Sequence, residues 1–494
     1  MDLLRDVGRP VGRILDDATS IDPGRPALVV GGQAITYREL SSTVDRCAAG
    51  LLAYGVQPGW RVPLVDDASV LSVSALLALA RIGASAALMN PRLTPGELGT
   101  MRQAADAAPV GVAGSAYADT LAAAGAKVVL GSDELLDGPA VGRGSDPEID
   151  PEADAVVLFT SGTTGTPKPV PLSHGLLGPR VAAFSPRADP EPSVSLMCVP
   201  LVHVGGMLGL LVALARGSTT VAQTRFDAGE WLALVARYRV NTAFVVPTML
   251  HRILDHPDFD ATDLTSLVAL SYGAAPASSD LVRRTMDRLP AVALTNTFGQ
   301  TETLGSITAL GPGDHTPERL ASVGRPLPGV TVQVTDPTTA RPVPRGAVGE
   351  LWVLAEGGVA AGPRAGAEGW LRTGDLVTED GDGYLYPVGR LVDVINRGGE
   401  KFAPAEVEEA LRSHEAVRDV AVVGVPDPEM GNRVGAAIVA RDEVTLEDLR
   451  SHCRDRIATF KLPEAVVVVD ELPYNDFGKV DRRTLRQLLT KDAP

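Results

Sequence analysis

The sequence predicts an α/β protein with buried parallel strands and a small separate unit at its C-terminal end. Short runs of β-branched and other apolar residues alternate along the chain with longer stretches rich in Ala and Leu, which is the order of strands and helices in α/β folds. The chain has 494 residues, of which 45% are hydrophobic. Because one hydrophobic core rarely serves more than about 250–300 residues, we expect at least two domains.

The individual elements follow from the local pattern. Apolar runs rich in valine predict strands over Ala155–Thr160, Thr242–Val246, Val330–Val334 and Val420–Val423. Stretches rich in Ala, Leu and Arg predict helices over Val70–Arg81, Gly229–Tyr238 and Thr445–Arg456. Polar segments rich in Gly and Pro predict loops over Leu135–Pro151 and Val359–Trp370.

The C-terminal part of the chain has its own strand and helix signals. Residues 406–417 form an amphipathic helical pattern, and residues 417–425 form a strand pattern directly behind it. The stretch from Trp370 to about Arg390 alternates in strand fashion around Gly and Asp turns. We therefore predict a boundary there, between a domain of residues 1–391 and a domain of residues 392–494.

Charge and cysteine content exclude several classes of protein. With 45 Lys and Arg against 61 Asp and Glu, the net charge is −16, which disfavours nucleic acid as a partner. No apolar run reaches the about 20 residues of a membrane span, and the first residues lack a secretory pattern. Cys47, Cys198 and Cys453 are far apart and match no metal spacing, as in a reducing compartment. We therefore expect a cytoplasmic enzyme.

A glycine-rich segment follows the predicted strand at Ala155–Thr160. Its glycines let the backbone approach an anion, and its hydroxyl groups and lysine add donors and a positive charge. A surface turn is the simpler explanation of such a composition. The segment lacks the Walker A spacing, and no nucleophile elbow or dinucleotide fingerprint occurs elsewhere. The candidate phosphate-binding residues are Thr160, Ser161, Gly162, Thr163, Thr164, Gly165 and Lys168.

This segment resembles the phosphate loop of the adenylate-forming enzymes, which include acyl-CoA synthetases, luciferases and the adenylation domains of peptide synthetases. Further segments resemble the other motifs of that superfamily, in the same order along the chain. They are Ile35–Leu40, Leu201–Gly206, Gly273–Pro276, Phe298–Glu302, Trp370–Asp375, Gly389–Asp393 with Arg397–Lys401, and Phe477–Arg482. The resemblance covers nearly the whole chain.

The resemblance implies a fold and a two-step reaction. The fold has a large N-terminal domain of αβ subdomains, with the ATP and acyl sites, and a small mobile C-terminal α+β domain with a catalytic lysine. In the first step a carboxylate attacks the α-phosphate of ATP, giving an acyl-adenylate and pyrophosphate. In the second step the thiol of coenzyme A displaces AMP. The implied cofactors are ATP, Mg²⁺ and coenzyme A.

The resemblance also assigns roles to single residues. Lys479 would offset the charge of the two anions that meet in the first step; in isolation it would be a solvated surface lysine. Thr301 would lie near the α-phosphate and Glu302 would help to hold Mg²⁺. Asp375 and Arg390 would bind the ribose or phosphates, although Asp375 also suits a Gly-Asp turn. The remaining nucleotide contacts would be Phe298, stacked on adenine, with Gly273, Ala274, Ala275, Asn296, Thr297, Gly299, Gly398 and Gly399.

His203 and two departures from the family pattern leave questions open. The resemblance places His203 at the acyl site, as a gate, but a buried core histidine is an equal alternative. Pro169 stands where the family usually has glycine, which would remove one backbone donor from the phosphate loop. Val392 stands at the family's hinge, where Asp or Lys is usual, and a valine resists positive φ.

The acid and the acceptor are predicted only by class. Malonate-activating members have an arginine where this chain has Thr297, and no acidic residue is evident for an amino group. We therefore predict a monocarboxylic fatty or aromatic acid, with coenzyme A as acceptor. The alternatives are a stand-alone enzyme that loads a carrier protein, an enzyme for an unusual substrate such as nitrite, and a silent homologue that only binds. A homodimer is also left open.

Overall fold

The computed structural model describes residues 11–136, 148–160, 167–184, 193–355, 358, 369–474 and 480–491. The chain forms two compact units. The predicted boundary after residue 391 lies inside unit 2 and stays a prediction. Unit 1 comprises Met1–Leu320, Pro326–Thr331 and Leu354–Leu371, and unit 2 comprises Ala321–Arg325, Val332–Val353 and Arg372–Pro494.

Strands β1 to β15 form the two sheets of unit 1. Most of them are short and buried, as the valine-rich runs predict. They are β1 (Pro26–Val30), β2 (Gln33–Thr36), β3 (Arg61–Val65), β4 (Ser85–Leu88), β5 (Val110–Ala113), β6 (Val128–Leu130), β7 (Asp154–Thr160), β8 (Lys168–Ser173), β9 (Val194–Met197), β10 (Thr219–Ala222), β11 (Thr242–Val245), β12 (Ala269–Gly273), β13 (Ala293–Gln300), β14 (Gly305–Leu310) and β15 (Arg325–Pro326).

Helices connect these strands and cover the sheets. Several begin at a Ser or Thr whose hydroxyl accepts a backbone N–H, and Thr36 does so in a full capping box with Glu39. The helices of unit 1 are α1 (Leu15–Ile21), α2 (Tyr37–Ala53), α3 (Val70–Arg81), α4 (Pro95–Ala104), α5 (Ala118–Ala123), α6 (Ser132–Leu135), α7 (His174–Phe184), α8 (Val204–Ala215), α9 (Ala228–Tyr238), α10 (Pro247–Leu254) and α11 (Ser279–Arg288).

The two sheets of unit 1 are mainly parallel. The first has the strand order β6-β5-β3-β4-β7-β8, with β8 antiparallel to β7. The second has the order β15-β14-β13-β12-β11-β9-β10-β1-β2, with β14 antiparallel to β13. Trp231, Tyr37 and Tyr272 are among the largest fully buried side chains of this unit. This architecture confirms the predicted α/β class.

Unit 2 has three smaller sheets. Its strands are β16 (Val330–Thr335), β17 (Gly349–Ala355), β18 (Leu371–Glu379), β19 (Leu385–Arg390), β20 (Ile395–Arg397), β21 (Glu400–Phe402), β22 (Val417–Asp427), β23 (Gly431–Ala440) and β24 (Ala465–Val468). The sheet orders are β16-β17-β18-β19, β20-β21 and β22-β23-β24. Its helices are α12 (Pro404–Arg412), α13 (Leu446–Cys453) and α14 (Arg482–Lys491). The strands and helices after Arg390 agree with the predicted smaller α+β domain.

The three cysteines are free and buried. Burial raises the pKa of the Cys47 thiol to about 12, and it raises the pKa of the Cys198 thiol to about 12 as well. These thiols are therefore packing residues and not nucleophiles. Within the described ranges, no helix combines the length and the apolar character that crossing a membrane requires.

Candidate functional site

The predicted phosphate loop joins two strands that pair with each other. Thr160 ends β7, Lys168 begins β8, and the two residues are register partners. Ser161, Gly162, Thr163, Thr164 and Gly165 lie outside the described residues. The hairpin therefore fixes both ends of the segment at one edge of the sheet.

Pro169 belongs to strand β8, where it pairs with Phe159. The expectation that it removes an anion-binding donor from the loop rested on its place in the sequence. Because Pro169 lies within a strand, its missing N–H is a feature of the sheet edge and not of the loop.

The predicted adenine loop begins where β12 ends. Gly273 pairs with Thr297 of β13, and a Cβ on Gly273 would lie 2.0 Å from the carbonyl oxygen of Thr297. Only glycine allows this approach of the two strands. Ala274 follows with φ of +65°, a left-handed conformation that costs a non-glycine residue about 1–2 kcal/mol. Strain of this kind is typical of binding loops. Ala275 is half-buried.

Strand β13 carries the next predicted residues side by side. Asn296 is buried, and Thr297, Phe298 and Gly299 are half-buried. The pairing with β14 shifts register between Phe298 and Gly299, and a Cβ on Gly299 would lie 2.0 Å from the carbonyl oxygen of Gly305. Such a bulge bends a strand and redirects the residues that follow it.

Thr301 and Glu302 lie on a short 3₁₀ turn, Thr301–Thr303, between β13 and β14. Both side chains are half-buried. The hydroxyl of Thr303 accepts a hydrogen bond from the Gln300 N–H at 2.9 Å. It also lies 2.7 Å from the carbonyl oxygen of Gly305, to which it donates. The turn ends at Leu304, whose φ of +51° is again left-handed.

Arg180 of α7 donates hydrogen bonds to the backbone at the end of this turn. Its Nε donates to the Leu304 carbonyl at 3.2 Å, and its Nη2 donates to the Ser306 carbonyl and, at 3.5 Å, to that of Thr303. Sequence reasoning missed this residue. The only available signal was a single cation in an otherwise apolar helix, a pattern that fits many surface arginines.

Mg²⁺ fits the residues on this turn. Mg²⁺ prefers oxygen ligands, and Thr301 and Glu302 offer a hydroxyl and a carboxylate on adjacent residues. In the part of the chain that the structure describes, no group of three or more acidic, His or Cys side chains is placed to hold a metal ion. Mg²⁺ is usually held by one or two carboxylates together with substrate phosphates, so one carboxylate beside one hydroxyl suits it.

His203 stands at the N-terminus of α8 and is half-buried. Its carbonyl accepts a hydrogen bond from the Met207 N–H at 2.9 Å. A Cβ on Gly206 would lie 2.2 Å from the Pro200 carbonyl oxygen, and one on Gly205 would lie 3.3 Å from the Phe244 ring. Glycine at these positions lets the helix start close to the preceding chain. His203 is therefore not the fully buried core residue of the alternative interpretation.

Two predicted ribose-binding residues lie together in unit 2. Asp375 of β18 is buried, at 7% exposure, and pairs in register with Arg390 of β19. The Arg390 Nε donates to Asp375 Oδ1 at 2.8 Å. The Asp375 N–H donates to the Thr373 hydroxyl at 3.0 Å. A buried carboxylate fixed in this way is a preorganised acceptor for hydroxyl groups.

The last predicted residues lie in the C-terminal part of unit 2. Gly398 and Gly399 form the two-residue turn of the β20–β21 hairpin, with φ of +57° and +92°. Positive φ at both positions is the type I′ pattern, which explains why glycine stands there. Val392 lies in a 3₁₀ turn, Leu391–Asp393, and is 59% exposed. Lys479 lies outside the described residues.

Comparison with known proteins identifies the family. Residues 15–362 match the AMP-binding enzyme family, and residues 406–479 match the C-terminal domain of AMP-binding enzymes. A feruloyl-CoA synthase from Amycolatopsis sp is 35% identical over 94% of this chain and 96% of its own length. A fatty acid–[acyl-carrier-protein] ligase, ScoC, from Streptomyces coeruleorubidus is 31% identical over 96% of this chain and 95% of its own.

A solved structure has the same fold. It is that of the amide bond synthetase McbA from Marinactinospora thermotolerans, with 32% identity, a TM-score of 0.87, and coverage of 97% of this chain and 99% of that one. The family match spans well over half of the sequence and agrees with the order of the motifs. The chain therefore belongs to the AMP-binding enzyme family, the adenylate-forming ligases.

Proposed function

We propose that this chain is an acid:CoA ligase that converts a monocarboxylic acid, aromatic or fatty, into an acyl-adenylate and then into a CoA thioester. The observation that carries the proposal is the turn Thr301–Thr303, which presents a half-buried carboxylate at Glu302 beside a hydroxyl at Thr301. The reacting carboxylate and the α-phosphate repel each other, and a carboxylate and a hydroxyl fixed side by side would hold the Mg²⁺ that offsets this repulsion.

Each unit has groups with a defined task in the first step. In unit 1, Glu302 would hold Mg²⁺, which would supply positive charge to the phosphates, and Thr301 would orient the α-phosphate. In unit 2, the carboxylate of Asp375 would accept hydrogen bonds from the ribose hydroxyls, and Arg390 orients that carboxylate through its hydrogen bond. The ammonium of Lys479 bridges the acid and the phosphoryl oxygens as a point charge.

The proposed acid has one carboxylate and an apolar body. Thr297 offers no positive charge to a second carboxylate. The segment after His203 contains two glycines, and the ring of Phe244 lies close to the first of them. An apolar pocket with few polar groups selects by shape and not by charge. The feruloyl-CoA synthase relative favours an aromatic acid within this class, and the fatty acid ligase relative favours a fatty acid.

The proposed acceptor is coenzyme A, and two of the similar proteins suggest others. The relative ScoC is named for a carrier protein, and McbA is an amide bond synthetase. An acyl-adenylate reacts with thiols and amines alike, so the acceptor depends on which nucleophile is bound close to the carbonyl carbon. An amine acceptor is therefore the second candidate function.

One experiment tests acid and acceptor together. Pyrophosphate release would be measured with ferulate, benzoate, octanoate, malonate and nitrite, each without acceptor and with CoA, a pantetheinylated carrier protein or ammonia. We expect release with the monocarboxylic acids and thioester formation only with CoA. Glu302→Gln serves as the inactive control. Turnover confined to malonate or nitrite, or an acyl product confined to the carrier or the amine, would contradict the proposal.

A further inference from the structure

Arg180 is a partly buried cation whose described partners are backbone carbonyls. It donates to the carbonyls of Leu304 and Ser306, and more distantly to that of Thr303. Within the described ranges it forms no ion pair with a carboxylate. The ring of Phe184, whose centroid is 5.0 Å from the guanidinium carbon, covers part of it. Burial lowers the pKa of Arg180 from its usual value, yet a guanidinium stays charged at any physiological pH.

The three carbonyls belong to one strained segment. Leu304 has φ of +51°, and Gly305 follows with φ of +91°. A left-handed leucine costs about 1–2 kcal/mol and persists only where the surroundings fix it. The Leu304 side chain is 2% exposed, and Thr303 bonds both to Gln300 and to Gly305. Arg180 adds hydrogen bonds to the carbonyls of the same segment, and these bonds are charge-assisted, hence stronger than neutral ones.

We propose that Arg180 is a positioning residue for the acyl-adenylation step: its guanidinium fixes the turn that carries Thr301 and Glu302. The reasoning is geometric. Glu302 is one residue before Thr303 and two before Leu304, so the orientation of its carboxylate follows the backbone that Arg180 holds. The kinetic part of this inference rests on the proposed function, whereas its structural part does not.

Two variants and one control separate this role from a general effect on folding. Arg180→Met keeps most of the apolar stem of the side chain and removes all the donors. Arg180→Lys keeps the charge but offers a single donor group in place of the planar fork. Arg216→Met is the matched control, since Arg216 donates to the Phe184 carbonyl at 2.5 Å and so also ties α7 down, but does not touch the turn.

The first readout needs no substrate. Hydrogen exchange of the amides in residues 300–306 reports directly on how firmly the turn is held. We expect faster exchange in this segment for Arg180→Met, a smaller change for Arg180→Lys, and no change for Arg216→Met. Unchanged exchange in Arg180→Met would overturn the inference even if the variant lost activity, because Arg180 would then act on the substrate itself.

The second readout measures adenylate formation and thioester formation separately. With Arg180→Met, adenylate formation should fall by about hundredfold and need more Mg²⁺, as expected for a small displacement of a reacting group. Thioester formation from pre-made acyl-adenylate should stay within about twofold of wild type. Arg180→Lys should recover part of the first step. Equal losses in both steps, matched by Arg216→Met, would overturn the inference. A wild-type chain inactive with every acid would instead refute the proposed function, while the exchange result still decides the role of Arg180.

Discussion

Asp375 combines two properties that rarely occur together, since it is both buried and charged. Its partner Arg390 compensates the charge, and we propose that the same carboxylate binds the ribose. Asp375→Ala should therefore raise the KM for ATP by about tenfold or more, the effect of losing a charged hydrogen bond worth ~1.5–3 kcal/mol.

The matched control for Asp375 is Glu350, a second buried carboxylate in the same sheet, which pairs with the partly exposed Arg372. Glu350 is 2% exposed and bonds to Arg372 at 2.7 Å, but it has no proposed role in binding. Glu350→Ala should lower the melting temperature without changing the KM for ATP. If both variants changed the KM alike, Asp375 would be a structural residue only.

Lys479 is expected to act in one step only. Lys479→Ala should slow adenylate formation by roughly 10²–10³, the cost of removing one electrostatic contact with the transition state. Thioester formation from pre-made acyl-adenylate should proceed normally. Lys461→Ala is the control, because Lys461 forms an ion pair with Glu406 in the same C-terminal part. Single-turnover assays of both steps decide, and equal losses in both would remove the assigned role.

At the scale of single residues, the sequence predicted functional residues that lie in recognisable motifs. It missed residues whose role depends only on contacts in the folded structure. The structure supplies physical reasons for glycine at 273, 398 and 399, namely a close approach of strands and a hairpin turn. Arg180 could not be predicted, because its three partners follow more than 120 residues later and no local pattern indicates them.

The element that we expect to govern the second step is the short turn Leu391–Asp393. If the C-terminal part rotates about Val392, as the family's hinge implies, a residue with a fixed φ should hold one state. Val392→Pro should form acyl-adenylate that accumulates without transfer. Val392→Asp should leave adenylation nearly unchanged and alter only the thioester rate. Rapid-quench kinetics on both steps provide the measurement.

Because Val392 is exposed, a change in its side chain should affect the hinge and not the stability of the fold. At 59% exposure it buries little apolar area, so Val392→Asp should not lower stability by more than a few tenths of a kcal/mol. Val392→Ala is the control for loss of the side chain alone. Full thioester turnover by Val392→Pro would locate the hinge elsewhere or contradict the rotation.

The sequence predicted where helices and strands occur better than it predicted where they begin and end. The helix predicted over Val70–Arg81 has those bounds. The helix predicted over Thr445–Arg456 is shorter, Leu446–Cys453, because Thr445 is its N-cap and not part of it. Strand β22 runs from Val417 to Asp427, well beyond the predicted Val420–Val423, because β23 pairs with it along its whole length. Such pairing is non-local, and a short apolar run does not reveal it.

For the molecule as a whole, the order of strands in the sheets could not be predicted from the sequence, because strand pairing is non-local. Strand β1 lies beside β10, although more than 180 residues separate them in the chain. The alternation of strands and helices predicts parallel sheets but not which strands become neighbours. By contrast, the α/β class and the smaller C-terminal part required only composition and pattern.

Global stability should depend on pH through buried histidines: burial lowers the pKa of both His174 and His315, and His174 serves as the test case. His174 is 4% exposed, and its Nδ1 accepts the Val11 N–H at 3.3 Å. Burial lowers the pKa of His174 to about 4, below its ordinary value near 6.5. Between these values the unfolded chain binds a proton that the folded chain does not, so the free energy of unfolding falls as the pH drops from about 6.5 to about 4.

Urea denaturation at pH 7.5 and pH 4.5 measures this loss. Wild type should lose roughly 2–3 kcal/mol more than His174→Gln over this interval. Exposed His251 provides the control, and His251→Gln should keep the wild-type dependence. If His174→Gln lost as much stability on acidification as wild type, other groups would be responsible for the acid sensitivity.

The two prolines of β8 have a consequence for the protein in solution. Strand β8 is the last in the order of the six-stranded sheet, and Pro169 and Pro171 occupy alternate positions in it. Alternate residues of a strand direct their N–H groups to the same side, and the ladder with β7 persists despite the prolines, so the missing donors belong to the outer side. A second chain could not extend the sheet there, because it would find no donors at those two positions. We therefore expect β8, which follows the predicted phosphate loop, to reduce edge-to-edge aggregation both during synthesis and at high concentration.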